Sequence, residues 1–125
     1  MGRNQSFVEA EALKTIASLL AKINPDALGM DAIIKATGIQ RQSIYRTWGS
    51  KSGLIASAIK YASENASEKD LIAILALTLG SESALDKPIL NSLNSLINQM
   101  NKEHSNHNLQ TSIGKHLTSR IGKNK

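Results

Sequence analysis

Arg41, Gln42, Ser43, Tyr45, Arg46 and Lys51 crowd hydrogen-bond donors and positive charge into residues 41–51, with no nucleophile beside a base. That chemistry is recognition. An arginine fork matches the acceptor edge of guanine, a glutamine amide matches adenine, and hydroxyls and ammonium groups meet phosphate oxygens. Double-stranded DNA is the partner these residue types predict. Lys51 is the sharpest clue, because it falls in the first turn of a helix capped by Ser50, where a cation opposes the helix dipole at a cost of some tenths of a kcal/mol. An anion reverses that sign: a phosphate would bind both the free amides and the ammonium. The Tyr45 hydroxyl is a second phosphate candidate, its ring packing between helices.

Other chemistry finds no support. Cysteine is absent, which excludes disulfides and thiolate metal sites. No Gly-rich phosphate loop, paired carboxylate with a poised histidine, or zinc signature is evident. Glu103, His104 and His107 have a spacing that puts two imidazoles on one turn, but they lie in an Asn-rich stretch without a third ligand, and His116 has no partner in sequence. No enzyme activity, cofactor or metal is expected.

The 125 residues carry 15 Lys plus Arg against 10 Asp plus Glu, a net charge of +5. The distribution is sharper than the total. Residues 31–60 carry a local +4 and residues 61–110 a local −3, so positive charge gathers around the donor cluster. Lys115, Arg120, Lys123 and Lys125 form a second basic group suited to non-specific phosphate contacts. The longest apolar run, residues 71–77, is too short to cross a bilayer. A cytoplasmic, nucleoid-associated protein without membrane contact is expected.

The elements that position the cluster follow from periodicity. Ser6-Phe7-Val8-Glu9 has capping-box spacing, and Val8, Ala12, Leu13, Ile16, Leu20 and Ile23 form one stripe, predicting a helix over residues 6–23 that ends before Pro25. A two-turn helix over residues 30–37 stops at Gly38, the residue that takes a left-handed conformation most cheaply. Residues 41–48 form the next helix, with Ile44 and Trp48 inward. Ser50 caps a fourth, whose stripe is Leu54, Ile55, Ala58, Ile59 and Ala62. Further helices are predicted over 68–79, over 83–100 with Pro88 tolerated in its first turn, and, after a break at 101–108, along Leu109, Ile113, Leu117 and Ile121. No strand pattern appears. The fold class is all-α, about seven helices, with a helix-turn-helix region over 1–65 and a short helical region over 66–125.

Helix-turn-helix geometry requires a tight junction and a second helix whose outer face is free for the major groove. Gly38 supplies the junction; Ile39, Ile44 and Trp48 hold the second helix to the core, leaving Arg41, Gln42, Ser43 and Arg46 to read bases. In order and spacing, Gly38-Ile39, Ser43-Ile44-Tyr45-Arg46, Trp48, Ser50-Lys51 and Leu54-Ile55 resemble the N-terminal signature of the TetR family of bacterial DNA-binding regulators. The resemblance covers about residues 6–65. It implies a three-helix DNA-binding unit joined through a fourth helix to a homodimerising region. It also implies that positions matching Arg41, Gln42, Ser43, Tyr45, Thr47 and Lys51, with Arg3 in the N-terminal arm, approach DNA.

Four positions depart from that pattern: Ile34 replaces an alanine, Gln40 an N-cap serine, Gln42 a small residue and Gly49 a frequent proline. The first predicts wider spacing or repacking of the two motif helices, and the second a less rigid start to the reading helix. Leu85, Ile89, Leu93, Leu96, Ile97 and Met100 recur near heptad spacing and form the expected dimer seam. The region after residue 65 is short, and Phe7, Tyr45, Trp48 and Tyr61 all lie before it. A small-molecule effector pocket is therefore disfavoured. The expected function is a homodimeric repressor on a palindromic operator. The alternatives are an accessory or architectural DNA-binding protein, and a protein-interaction module on a retained helix-turn-helix scaffold.

Overall fold

In the computed structural model, residues 5–116 are described, the side chains from residue 8 to residue 103. Six α-helices occur among them: α1 (Gln5–Leu20), α2 (Met30–Thr37), α3 (Arg41–Trp48), α4 (Lys51–Asn65), α5 (Glu68–Leu79) and α6 (Lys87–His116). Short 3-10 turns, Pro25–Ala27 and Glu82–Leu85, precede α2 and α6. The described residues contain no strand, and the fold is all-α.

One core joins the six helices among the described residues. Leu54, Ile55, Ala58, Ile59 and Ala62 of α4 are all buried, packed between α1, which contributes Ile16 and Leu20, and α6, which contributes Ile89, Leu93 and Leu96. The α4 stripe recurs at three- and four-residue intervals, which puts these side chains on one broad helix face. Small residues at 58 and 62 let the neighbouring helices come close. Ile33 of α2 and Ile44 of α3 join the same cluster, so the motif is welded to the C-terminal helices through α4. No helix among the described residues is long and apolar enough to cross a membrane.

Three expectations about element boundaries change. Helix α1 ends at Leu20 rather than residue 23; residues 21–23 close a tighter turn, with the Lys22 and Ile23 N–H groups donating to the Leu19 carbonyl at 2.9 and 2.8 Å. Helix α6 starts at Lys87 rather than residue 83, with Pro88 in its second position, where a missing N–H is harmless. The expected break at residues 101–108 is absent, for α6 runs unbroken to His116. Asparagine costs only a fraction of a kcal/mol in a helix interior, and no Gly or Pro interrupts residues 89–113. The first three residues of the basic C-terminal group and the apolar positions 109–121 have side chains outside the described residues, as do Lys125, the two histidines at 104 and 107, and Arg3.

The expected dimer seam is mostly spent inside the chain. Ile89 and Leu93 are fully buried and Leu96 nearly so, whereas Leu85, in the 3-10 turn, is 82% exposed. Ile97 and Met100 are half-buried. Helix α5 presents the opposite case: Leu71, Ile74 and Thr78 face the core, yet Ile72 and Leu79 on its outer side stay 53% and 52% exposed.

Thr78 is buried with its hydroxyl unpartnered, a desolvation cost without a compensating bond. Thr78→Val is expected to raise stability by about 1 kcal/mol, and Leu93→Ala to lower it by about 2–5 kcal/mol, both read from urea unfolding by circular dichroism.

Candidate nucleic-acid interface

The α2–α3 junction is built from three local devices. Gly38 adopts φ 74°, and its N–H donates to the Ile34 carbonyl at 2.8 Å. The Thr37 hydroxyl donates to the Ile33 carbonyl at 2.9 Å and accepts from the Ile39 N–H at 3.2 Å, tying the end of one helix to the approach of the next. Ile33 and Ile44 are fully buried, with Ile34, Ile39 and Trp48 packed against the core. Ile34 is half-buried. Gln40 makes no side-chain cap, so α3 starts on backbone bonds alone.

With its inner face held, α3 turns Arg41, Gln42, Tyr45, Arg46 and Thr47 to solvent. Ser43 is half-buried and accepts a 3.2 Å bond from Arg46 Nη2, so these two side chains act as a pair. Arg41 Nη2 donates to Asp31 Oδ1 at 2.8 Å across the junction. Tyr45 is 44% exposed, its ring less enclosed than a core aromatic. Trp48 is half-buried.

The α3–α4 junction sets Lys51 at the start of α4. Gly49 takes φ 85° and its N–H closes on the Tyr45 carbonyl at 2.8 Å. A Cβ at Gly53 would run into the carbonyl oxygen of Trp48, so α4 starts as close to α3 as its backbone permits. Ser50 Oγ accepts from the Gly53 N–H at 3.0 Å and caps α4. Lys51 Nζ donates to the Pro25 carbonyl at 3.2 Å. The ammonium in a first turn is thus partly compensated inside the chain, by a carbonyl of the 3-10 turn and by the neighbouring Asp26 carboxylate. An ammonium has three donors.

Asp26 gathers that corner. Its carboxylate accepts from the Ser83 hydroxyl at 2.6 Å, the Glu82 N–H at 2.7 Å and the Ser83 N–H at 3.0 Å. Nearby, Ser52 Oγ donates to Asp86 Oδ2 at 2.6 Å. These bonds fasten the turn before the motif and the start of α4 to the turn before α6. The Ser83 hydroxyl and then the Glu82 N–H, with a smaller contribution from Lys51, outweigh desolvation and hold the Asp26 carboxyl below its ordinary range.

Asp26, Asp31, Thr37, Ser52, Gly53, Ser83 and Asp86 were not among the sequence-predicted site residues. Their partners lie up to 57 residues away, and no local pattern marks such pairings. Asn24-Pro25-Asp26 reads only as a turn.

Gly38→Ala is expected to cost about 1–2 kcal/mol, the penalty for a side chain in a left-handed conformation, with a matching fall in the thermal midpoint. Asp26 has a depressed folded pKa, so its contribution is complete above the ordinary carboxylate range and is lost as pH falls through the folded value. Acid titration of unfolding should therefore show a loss of stability below about pH 4 that is smaller in Asp26→Asn, whose stability is lower at neutral pH.

Residues 12–58 match the family model described as bacterial regulatory proteins, tetR family. No curated protein and no solved structure matches the chain. The matched residues run from within α1 through α2 and α3 into α4, the span just described. Residues 12–58 therefore carry a helix-turn-helix region similar to that of the TetR family, which supports a DNA-binding transcription regulator.

Proposed function

We propose that this regulator is a repressor that binds a palindromic operator as a homodimer in the cytoplasm. The observation that carries the reading is the division of α3: Ile44 is fully buried while Arg41, Gln42, Tyr45, Arg46 and Thr47 face outward beside the start of α4. A rigid helix with one face free suits the major groove. In this reading Arg41, Gln42 and the Ser43–Arg46 pair read bases. Tyr45, Thr47, Lys51 and Arg3 hold phosphates, Lys51 through donors beyond the one engaged by Pro25.

Two-fold pairing supplies two half-sites. Because Ile89, Leu93 and Leu96 are occupied within the chain, the large exposed apolar side chains left for a second copy among the described C-terminal residues are Ile72 and Leu79 on the outer side of α5, with Leu85 and Leu90. Residues 71–79 carry no charge, which suits that length of α5 to an apolar contact.

No small-molecule effector enters this reading. The groove between α1, α4 and α5 is about 220 Å³ and that between α4 and α6 about 310 Å³, with polar side chains such as Lys14, Asn65, Ser92 and Gln99 in their walls. Ligand pockets span about 300–1,000 Å³, so these two grooves lie below or at the bottom of that range.

Selection of bound duplexes from a random pool tests the proposal. A two-fold symmetric site, and a footprint over one promoter, are expected; an asymmetric site contradicts the dimer, and dispersed sites point to an accessory role. On the selected duplex, Lys51→Ala should weaken binding to all sequences alike and reduce the salt slope by about 1. Arg41→Ala and Gln42→Ala should instead change which sequences are preferred. Equal losses across sequences for all three would remove the assignment of readers.

A further inference from the structure

We infer that Asp31 is a specificity-determining positioning residue, holding the Arg41 guanidinium for a base edge and away from phosphates. The inference rests on the assignment of Arg41 as a base reader. Arg41 is the first residue of α3 and Asp31 lies in the first turn of α2, so the 2.8 Å bond from Arg41 Nη2 to Asp31 Oδ1 crosses the helix-turn-helix junction.

Stability does not account for the pair. The Arg41 side chain is 51% exposed and that of Asp31 94%, and ion pairs this open to water contribute little to folding. Asp31 also needs no partner, since a carboxylate in the first turn of a helix is already favoured by the dipole. The consequence lies in what the carboxylate does to the guanidinium beside it.

One of the five guanidinium N–H donors is engaged by Asp31, and the others remain for a ligand. Anchored at one nitrogen, the planar group loses part of its rotamer freedom before any ligand arrives, so less is lost when a two-acceptor base edge binds its free side. The same carboxylate lowers the local positive potential and repels a phosphate approaching Arg41. A phosphate is attracted mainly by net charge, whereas a guanine edge is neutral and selected by geometry. Asp31 therefore penalises backbone binding more than base reading, which is how a repulsive element produces specificity. Arg46, tied to a neutral serine hydroxyl, carries no such filter.

The test compares binding to the selected duplex and to a random duplex of equal length over a salt series, for the full chain and its variants. Asp31→Asn is expected to strengthen random-duplex binding severalfold, to steepen its salt slope by about 1 as one more cation becomes available to phosphate, and to lower the selected-to-random ratio. Asp31→Glu should retain the ratio. In an Arg41→Ala background, Asp31→Asn should leave the ratio unchanged. Circular dichroism should show every variant folded, because both side chains are exposed. The inference is overturned if Asp31→Asn shifts both duplexes by one factor, or if it changes the ratio equally with and without Arg41. If the unmodified chain retains no duplex at low salt, the DNA-binding reading itself fails.

Discussion

Burial of α4 on both sides is the constraint on which the other elements depend. Its five buried residues, Leu54, Ile55, Ala58, Ile59 and Ala62, meet α1 across one flank and α6 across the other, so neither the motif nor the C-terminal helices close a core without it. Apolar burial of this kind is non-directional and scales with area. It fixes which face of each helix is inward, and by exclusion which face of α3 is outward. The donors on α3 are exposed because Ile44 has a place to go.

Polar bonds then refine a position that burial has already chosen. Hydrogen bonds from Thr37 and Gly38 set the α2–α3 angle, and Ser50, Gly49 and Gly53 set the approach of α4 to α3. Asp26 and Asp86 accept bonds that cross between the two halves of the chain. Because these carboxylates are exposed, their bonds contribute modestly to stability, but they are directional and orient the elements they join. Lys51 sits at the centre of this arrangement. Its charge is tolerated in a first turn because the 3-10 turn supplies a carbonyl and Asp26 a nearby carboxylate.

The C-terminal half shows how a periodic stripe leaves its partner undetermined. Leu85 to Met100 recur at intervals suited to a seam between chains, yet Ile89, Leu93 and Leu96 close the core of one chain. A small domain has little surface to bury, and α4 stood in need of a second neighbour. Helix α5 shows the reverse. Its apolar residues exceed what the other described elements cover, leaving Ile72 and Leu79 exposed.

Periodicity and local chemistry were sufficient for the helices of residues 30–79, because each has an apolar stripe bounded by a residue whose backbone or side chain stops it: Gly38, Gly49, Ser50 and Ser67 act within one turn of where they stand. The same locality made the helix-turn-helix legible, with Gly38 at the end of α2 and Ile44 in the core. It failed at the C-terminal end, where asparagine-rich composition suggested a break that helical hydrogen bonding does not require, and where Ser83 was read as a helix start although its N–H and hydroxyl both turn to Asp26. Only the tertiary structure decided that Lys51 has a partner in its own chain, that Asp31 reaches Arg41, and that the α6 stripe belongs to the core. Each of those depends on distance through space between residues separated in sequence, and side-chain spacing along a helix carries no information about which distant surface it will meet.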